Sequence, residues 1–379
     1  MTPLEDRATG CVAGAAVGDA LGGATEGWTP EQITQRYGGT VEGVVPPFNA
    51  DWRNARPIAP YHKGDGHITD DTLMTHALIR VYQKAGAHLD AYSMAEHMVP
   101  EMMGEKQWIP ELEADALPLQ RVFLAEKWIV ARLHYGHNDP REAGVGNIVN
   151  CGAAMYVAPV GIVNAGDPDA AYAEAIDLTG AHQSSYGREA AGVMAAAVAE
   201  AMRPGASADS VVATATRLAK DGTRAAIEAV CSRARDFGHW EGSFEGLRAA
   251  MRPYDTVADT YRDQGLGARR PSRVHSIEEL PLALAFLLIA KGDVRDTVLG
   301  GVNYGRDADS IASMGGAIAG ALGGLSAVPS DWVEQIGTAS RTDLVAPGLA
   351  IAEVALRIHR DDLARRRAHE DAFAELAGQ

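Results

Sequence analysis

The chain has 379 residues, is 46% hydrophobic and carries a net charge of −16. That length and apolar share allow a sizeable buried core and argue against disorder, while the acidic excess repels nucleic-acid phosphates. Cys11, Cys151 and Cys231 are far apart and form no Cys-x-x-Cys pair, which excludes a disulfide framework or zinc site and fits a reducing cytoplasm; no signal-peptide pattern or run of about 18 apolar residues suggests secretion or membrane insertion.

Along the chain, helical periodicity is expected over residues 7–17, 70–84, 167–179, 188–203, 207–220, 280–290, 311–322 and 349–368. No comparable set of alternating strands competes with them, so the fold class is all-α. Ala and Gly are abundant in these stretches, most of all in Gly315-Gly-Ala-Ile-Ala-Gly-Ala-Leu-Gly-Gly324. Small residues on a helix face let a neighbouring backbone approach closely, which predicts a tightly packed bundle. Segments 44–67, 104–149 and 240–276 read as long loops rich in Pro, Gly and aromatic residues. Their aromatics Trp52, Tyr61, Trp108, Trp128 and Tyr135 are expected to be packing anchors. No internal repeat or linker is visible, so residues 1–379 read as one domain with a core of about 8–370, and Arg365-Arg-Arg367 as the exposed end of the last helix.

Two acidic clusters stand at predicted helix starts. Thr69-Asp70-Asp71-Thr72 precedes the apolar-periodic run Leu73, Met74, Ala77, Leu78 and Val81; Asp307-Ala-Asp309-Ser310 precedes the small-residue helix. Taken singly, each is explained by a helix N-cap and by carboxylates near the positive end of the helix dipole. Taken together, they offer only hard oxygen donors suited to Mg²⁺ or Mn²⁺. Four carboxylates in one place would raise one another's pKa, and two divalent ions would neutralise them. The charge count therefore suggests a dinuclear site.

Gly18-Asp-Ala-Leu-Gly22 with Glu26, Thr69-Asp-Asp-Thr72, Asn150-Cys-Gly-Ala-Ala-Met155 and Gly305-Arg-Asp-Ala-Asp-Ser-Ile-Ala312 occur in that order over roughly residues 8–325. This ordered set resembles the ADP-ribosylglycohydrolases, and is similar to the dinitrogenase-reductase-activating glycohydrolases. The resemblance implies an all-α domain with a dinuclear metal cleft, in which Thr69, Asp70, Asp71, Asp307, Asp309 and Ser310 match metal ligands. Ser310 stands where Thr is common and keeps the hydroxyl. The resemblance also assigns catalysis to Glu26 and Asp309, and substrate contacts to Asn150, Cys151, Gly152, His182, Ser184, Tyr304, Gly305 and Arg306. Asp19 is given a supporting hydrogen-bond role.

At Tyr156 the pattern departs, since an arginine is usual after the methionine and tyrosine offers no charged fork. Arg306 and Arg188 are the cations available to compensate. The expected function is metal-dependent hydrolysis of a bond to ribose, removing ADP-ribose from a protein side chain or a small acceptor. Hydrolysis of a nucleoside-like metabolite is the alternative that Tyr156 favours. A catalytically silent, metal-binding structural relative is a third reading, distinguished by erosion of the ligands.

Overall fold

Helix α1 (Pro3–Gly23) starts at a capping box, in which the Glu5 N–H donates to Thr2 Oγ1 at 3.3 Å and the Thr2 N–H to Glu5 Oε2 at 2.6 Å. It is buried on every face from Ala8 to Gly23, so it is the central helix rather than a surface one. The structure is a computed structural model that describes residues 1–55, 61–255 and 276–378. The other helices that frame the site are α2 (Asp70–Ala85), α3 (Pro168–Leu178), α4 (Ser185–Ala201), α5 (Ala208–Leu218), α6 (Asp221–Ala234), α7 (Ser276–Ile289), α8 (Val294–Tyr304), α9 (Ala308–Gly323) and α10 (Ala346–Ala377). Among the described residues, the sheet content is one antiparallel hairpin, β1 (Gln107–Ile109) with β2 (Ala114–Ala116), in which Trp108 is opposite Asp115.

The α1–α9 contact is made at backbone distance. A Cβ added to Gly10, Gly14, Gly18 or Gly22 would lie 2.4, 2.3, 2.1 or 2.5 Å from the carbonyl oxygens of Gly320, Gly316, Ala312 or Ala308 respectively. The partners descend as the glycines ascend, so the helices run antiparallel with a repeat of four residues, close to one helical turn. Gly348 of α10 closes on the other side, where an added Cβ would meet Thr9 Cα at 2.4 Å. The alanine-rich α4 is buried from Ala190 to Ala201 and packs among α3, α5, α7 and α9.

The predicted helices are present, with ends shifted by a few residues. Helix α9 starts at Ala308 rather than 311, and α7 continues through Pro281, its sixth residue, which gives up one hydrogen bond in the second turn. Helices α6 and α8 were not expected, their apolar residues being too interspersed with polar ones to stand out. Segment 104–149 is less irregular than expected, since it holds the hairpin and the helix Leu124–Val130. In 240–276 the structure places a helix at Phe244–Met251, while residues 256–275 lie outside the described residues, as do 56–60 of the 44–67 loop. Helix α10 runs to Ala377, so Arg365 to Arg367 are an exposed mid-helix stretch and not its end. Tyr135 is 69% exposed, its ring meeting that of the adjacent His134 edge-on, and so is not a core anchor.

Overpacking a filled seam typically costs 1–3 kcal/mol. Gly18→Ala is therefore expected to lower unfolding free energy by about 2 kcal/mol in urea titrations, whereas Gly39→Ala, whose added Cβ meets nothing within 4 Å, is expected to be near neutral.

Candidate functional site

The seam delivers the last turn of α1 to the first turn of α9, and hydrogen bonds gather the rest. Asp19 of α1 accepts from the Thr69 N–H (2.9 Å), the Thr69 hydroxyl (2.6 Å), the Thr72 N–H (3.1 Å) and the Thr72 hydroxyl. This pins the start of α2 against α1. After α1, the Thr25 hydroxyl donates to the Val302 carbonyl at 2.7 Å, the Gly27 N–H to the Arg306 carbonyl at 2.6 Å, and the Arg306 N–H to the Trp28 carbonyl at 3.0 Å. Gly305 between them has φ +74°, and a Cβ there would lie 2.0 Å from the Trp28 oxygen, so only glycine fits. The stitched loops hold Glu26 beside the α9 start.

Three overlapping groups of buried side chains result, each with ligand atoms within 4.8 Å of one another: Asp19, Asp71 and Asp309; Glu26, Asp307 and Asp309; Cys151, Glu279 and Asp307. Asp307 is the N-cap residue of α9, yet its side chain makes no cap hydrogen bond. Its carboxylate faces Asp309, Glu26 and Glu279 instead, which a mere helix start would not produce. Asp71 Oδ1 is buried with no hydrogen-bond partner among the described residues. Burial, reinforced by the neighbouring carboxylates, pushes Asp19 up and Asp71, Asp309 and Glu279 well above the usual carboxylate range. Ser310 lies against Cys151, with Oγ 3.4 Å from Sγ, and the thiol is also 3.5 Å from Asp307 Oδ2. Burial, then Asp307, hold that thiol protonated.

Two cations reach into this acidic centre. Lys63 donates to Glu26 and, at 2.8 Å, to Asp309 Oδ2. Burial disfavours its charge, but Asp309 and Glu26 outweigh that and raise its pKa. Arg121 pairs with Asp70 at 3.0 Å and with Glu111, and the Phe123 N–H donates to Asp70 Oδ2 at 3.0 Å. Asp70 thus turns toward Arg121 and belongs to none of the three groups, whereas Asp71 belongs to the one with Asp19 and Asp309. Neither Lys63 nor Glu279 was expected. A lone lysine in a Pro- and Gly-rich loop carries no pattern, and Glu278-Glu279 reads as an ordinary acidic helix start.

The residues expected at the substrate are distributed differently. Asn150 Oδ1 accepts from the Gly152 N–H (3.1 Å) and Gln183 Nε2 (2.8 Å), and Gly152 is packed so closely that a Cβ would lie 2.2 Å from Glu126 Oε1. Ser184 is the half-buried N-cap residue of α4 and makes no side-chain cap bond. His182 is fully buried, with Nδ1 3.0 Å from the Tyr156 hydroxyl and Nε2 3.5 Å from Glu126 Oε1. The Tyr304 hydroxyl donates to Glu278 Oε1 at 3.1 Å, and Arg306 pairs with Glu278 at 2.6 Å and Asp255 at 3.0 Å. Arg188 Nε donates to the Ile176 carbonyl at 2.5 Å. Both arginines considered as replacements at Tyr156 are therefore engaged elsewhere.

A family model described as ADP-ribosylglycohydrolase matches residues 1–368. The chain belongs to the ADP-ribosylglycohydrolase family. It is 25% identical to an ADP-ribosylarginine hydrolase, Tri1, of Pseudomonas putida, over 92% of this chain and 80% of that one. It is 24% identical to the ADP-ribosyl-[dinitrogen reductase] glycohydrolase of Rhodospirillum rubrum, over 88% of this chain and 91% of that one. A solved structure titled ADP-ribosylglycohydrolase-related protein complex superposes with a TM-score of 0.64 at 20% identity, covering 94% of this chain and all of the other, which shows the same fold.

An ADP-ribosylglycohydrolase of this kind is expected to need metal, and the donor set suits it. The converging donors are hard oxygens, and Asp71 Oδ1 is a buried carboxylate oxygen whose hydrogen-bonding capacity is otherwise unused. Because Asp19, Asp71, Asp309 and Glu279 hold protons more tightly folded than unfolded, their ionisation opposes folding. In chelator, the contribution of these groups to stability is thus expected to be full at and below the ordinary carboxylate pKa of about 4 and to fall as pH rises above it. Saturating Mg²⁺ or Mn²⁺ should flatten that fall. Urea midpoints measured between about pH 5 and 8, with and without the ion, check both signs.

Proposed function

We propose that this family member hydrolyses the bond to the anomeric carbon of ribose, removing an ADP-ribosyl group from a protein side chain or small acceptor, with two divalent cations, Mg²⁺ or Mn²⁺, as cofactors. The observation that carries the reading is the convergence of Glu26, Asp307 and Asp309 with Asp19 and Asp71 where α1 meets α9. Thr69, Asp70, Asp71, Asp307, Asp309 and Ser310 are the residues proposed to hold the ions, Asp70 doing so by exchanging Arg121 for an ion. When bound, such ions supply charge neutralisation and orient sugar hydroxyls.

The chain's own groups do the rest. Glu26 is the proposed general base or acid, taking a proton from the incoming water and returning it to the leaving group. Asp309, beside it, stabilises positive charge developing on the ribose ring. The segment from Asn150 to Gly152 lines the proposed ribosyl diphosphate subsite, its shape held by the Gly152 N–H bond to Asn150 Oδ1 and by Glu126 packed where a Gly152 side chain would be. Tyr304, Gly305 and Arg306 shape the wall behind Glu26 through their bonds to Trp28 and Glu278.

The names of the Pseudomonas and Rhodospirillum relatives point to a protein acceptor. A second reading, hydrolysis of a nucleoside-like metabolite, is favoured by Tyr156, which brings a neutral hydroxyl to His182 in place of the usual arginine. Under either reading the substrate is small or presented on a protein, and the net charge of −16 disfavours nucleic acid. Among the described residues, no helix is long and apolar enough to cross a membrane. The three cysteines are free and buried, in keeping with a reducing cytoplasm.

A panel of ADP-ribosyl-arginine, ADP-ribosyl-serine, ADP-ribosyl phosphates and free nucleosides, run with Mg²⁺ and Mn²⁺, separates the readings. Glu26→Gln is expected to lower kcat by about 10²–10⁴, and Asp307→Ala to lose both metal binding and turnover. Full turnover in chelator, or by the Glu26→Gln variant, overturns the assignment.

A further inference from the structure

We propose that Lys63 is a tethered cation that competes with a divalent ion for the Glu26–Asp309 corner of the carboxylate cluster, so that this corner loads an ion only as the ammonium withdraws. The inference deepens the proposed metal role of these carboxylates and rests on it. Three observations carry it.

Position comes first. Lys63 donates to Glu26 and, at 2.8 Å, to Asp309 Oδ2, and with Asp307 those same two carboxylates form one of the groups whose ligand atoms lie within 4.8 Å of one another. An ammonium bonded to two carboxylates at hydrogen-bond distance occupies the space that an ion with oxygen ligands at about 2.1 Å would need, so the two are mutually exclusive. The lysine side chain is 14% exposed and its partners less so, which gives water little part in screening the contest.

Charge comes second. Lys63 brings its positive charge to Glu26 and Asp309, whereas Asp19 and Asp71, which close on Asp309 in the neighbouring group, are not among its partners. Asp71 Oδ1, which shares a group with Asp309 but is not bonded to Lys63, keeps no hydrogen-bond partner among the described residues. The expectation is unequal loading: one ion enters beside Asp71 without opposition, and a second enters beside Glu26 against Lys63.

Room to move comes third. A cavity next to the corner is lined by Glu26, Trp28, Phe48, Trp52, Tyr61 and Lys63 itself. The four-carbon stem can swing into it by rotation of its own bonds. The backbone need not follow, being held by the His62 N–H to the Glu111 carbonyl at 2.9 Å and the Asp65 N–H to the Val45 carbonyl at 2.8 Å.

The test uses the full chain, stripped with chelator, and Mn²⁺ as probe. Calorimetric titration is expected to show unequal sites in the wild type. In Lys63→Met the weaker site should tighten about tenfold, and Lys63→Arg should retain the wild-type inequality. Independently, acetic anhydride labelling read by mass spectrometry should find Lys63 protected without Mn²⁺ and several-fold more reactive with it, while the exposed Lys84 is unchanged. The labelling uses wild-type protein and decides the matter if Lys63→Met does not fold. Equal Mn²⁺ binding by wild type and Lys63→Met, with Lys63 labelling indifferent to Mn²⁺, overturns the proposal and leaves the metal reading standing. Failure of every form to bind Mn²⁺ or Mg²⁺ overturns the metal reading and this proposal together.

Discussion

The backbone-to-backbone seam between α1 and α9 is the constraint on which the site depends. Gly10, Gly14, Gly18 and Gly22 leave no side chains between the helices, so the carbonyls of Gly320, Gly316, Ala312 and Ala308 lie against them. Because the helices are antiparallel, the same register that packs Gly10 on Gly320 at one end sets Asp19 and Glu26 beside Asp309 at the other. Packing a small-residue stripe and assembling a carboxylate cluster are here one act. Even a methyl group in the seam would push apart elements whose side chains must meet within a few ångströms.

What the seam gathers is electrostatically adverse. Carboxylates brought together out of water are stable only with protons, cations or hydrogen-bond donors. The protein supplies donors and cations: hydroxyls and N–H groups of Thr69 and Thr72 for Asp19, the ammonium of Lys63 for Glu26 and Asp309, and the guanidinium of Arg121 for Asp70. Among the described residues, Asp71 keeps one oxygen without a hydrogen-bond partner. The uneven satisfaction is what distinguishes this cluster from a set of helix caps. A cap spends its oxygen on the first-turn N–H groups, and Asp307 does not.

The side facing Asn150 to Gly152 is built on different chemistry. Tyr156, His182 and Glu126 form a fully buried row behind Gly152, with Tyr156 in place of a charged fork. Arg306 and Arg188 are committed to Glu278 and to the Ile176 carbonyl. Among the described residues, this wall therefore presents a tyrosine hydroxyl where the family pattern leads one to expect a guanidinium.

Much of this was legible in the sequence, because helix periodicity, small-residue stripes and acidic helix starts are local patterns. The small residues from Gly315 to Gly324 announced close packing, and the two acidic clusters with Glu26 announced hard oxygen donors. Sequence alone could not tell a cap from a ligand at Asp307, since both place an Asp before a helix; the direction of the carboxylate decides, and that is a tertiary fact. Nor could it find Lys63 or Glu279, whose neighbours in sequence give no sign of their neighbours in space, or foresee that Arg121 would claim Asp70. The sequence by itself determined the helical class, the family and the identity of the hard donors, because these reside in periodicity and ordered motifs. Only the tertiary structure decided which carboxylates meet and which cations reach them, because that follows from an antiparallel helix register joining residues more than two hundred positions apart.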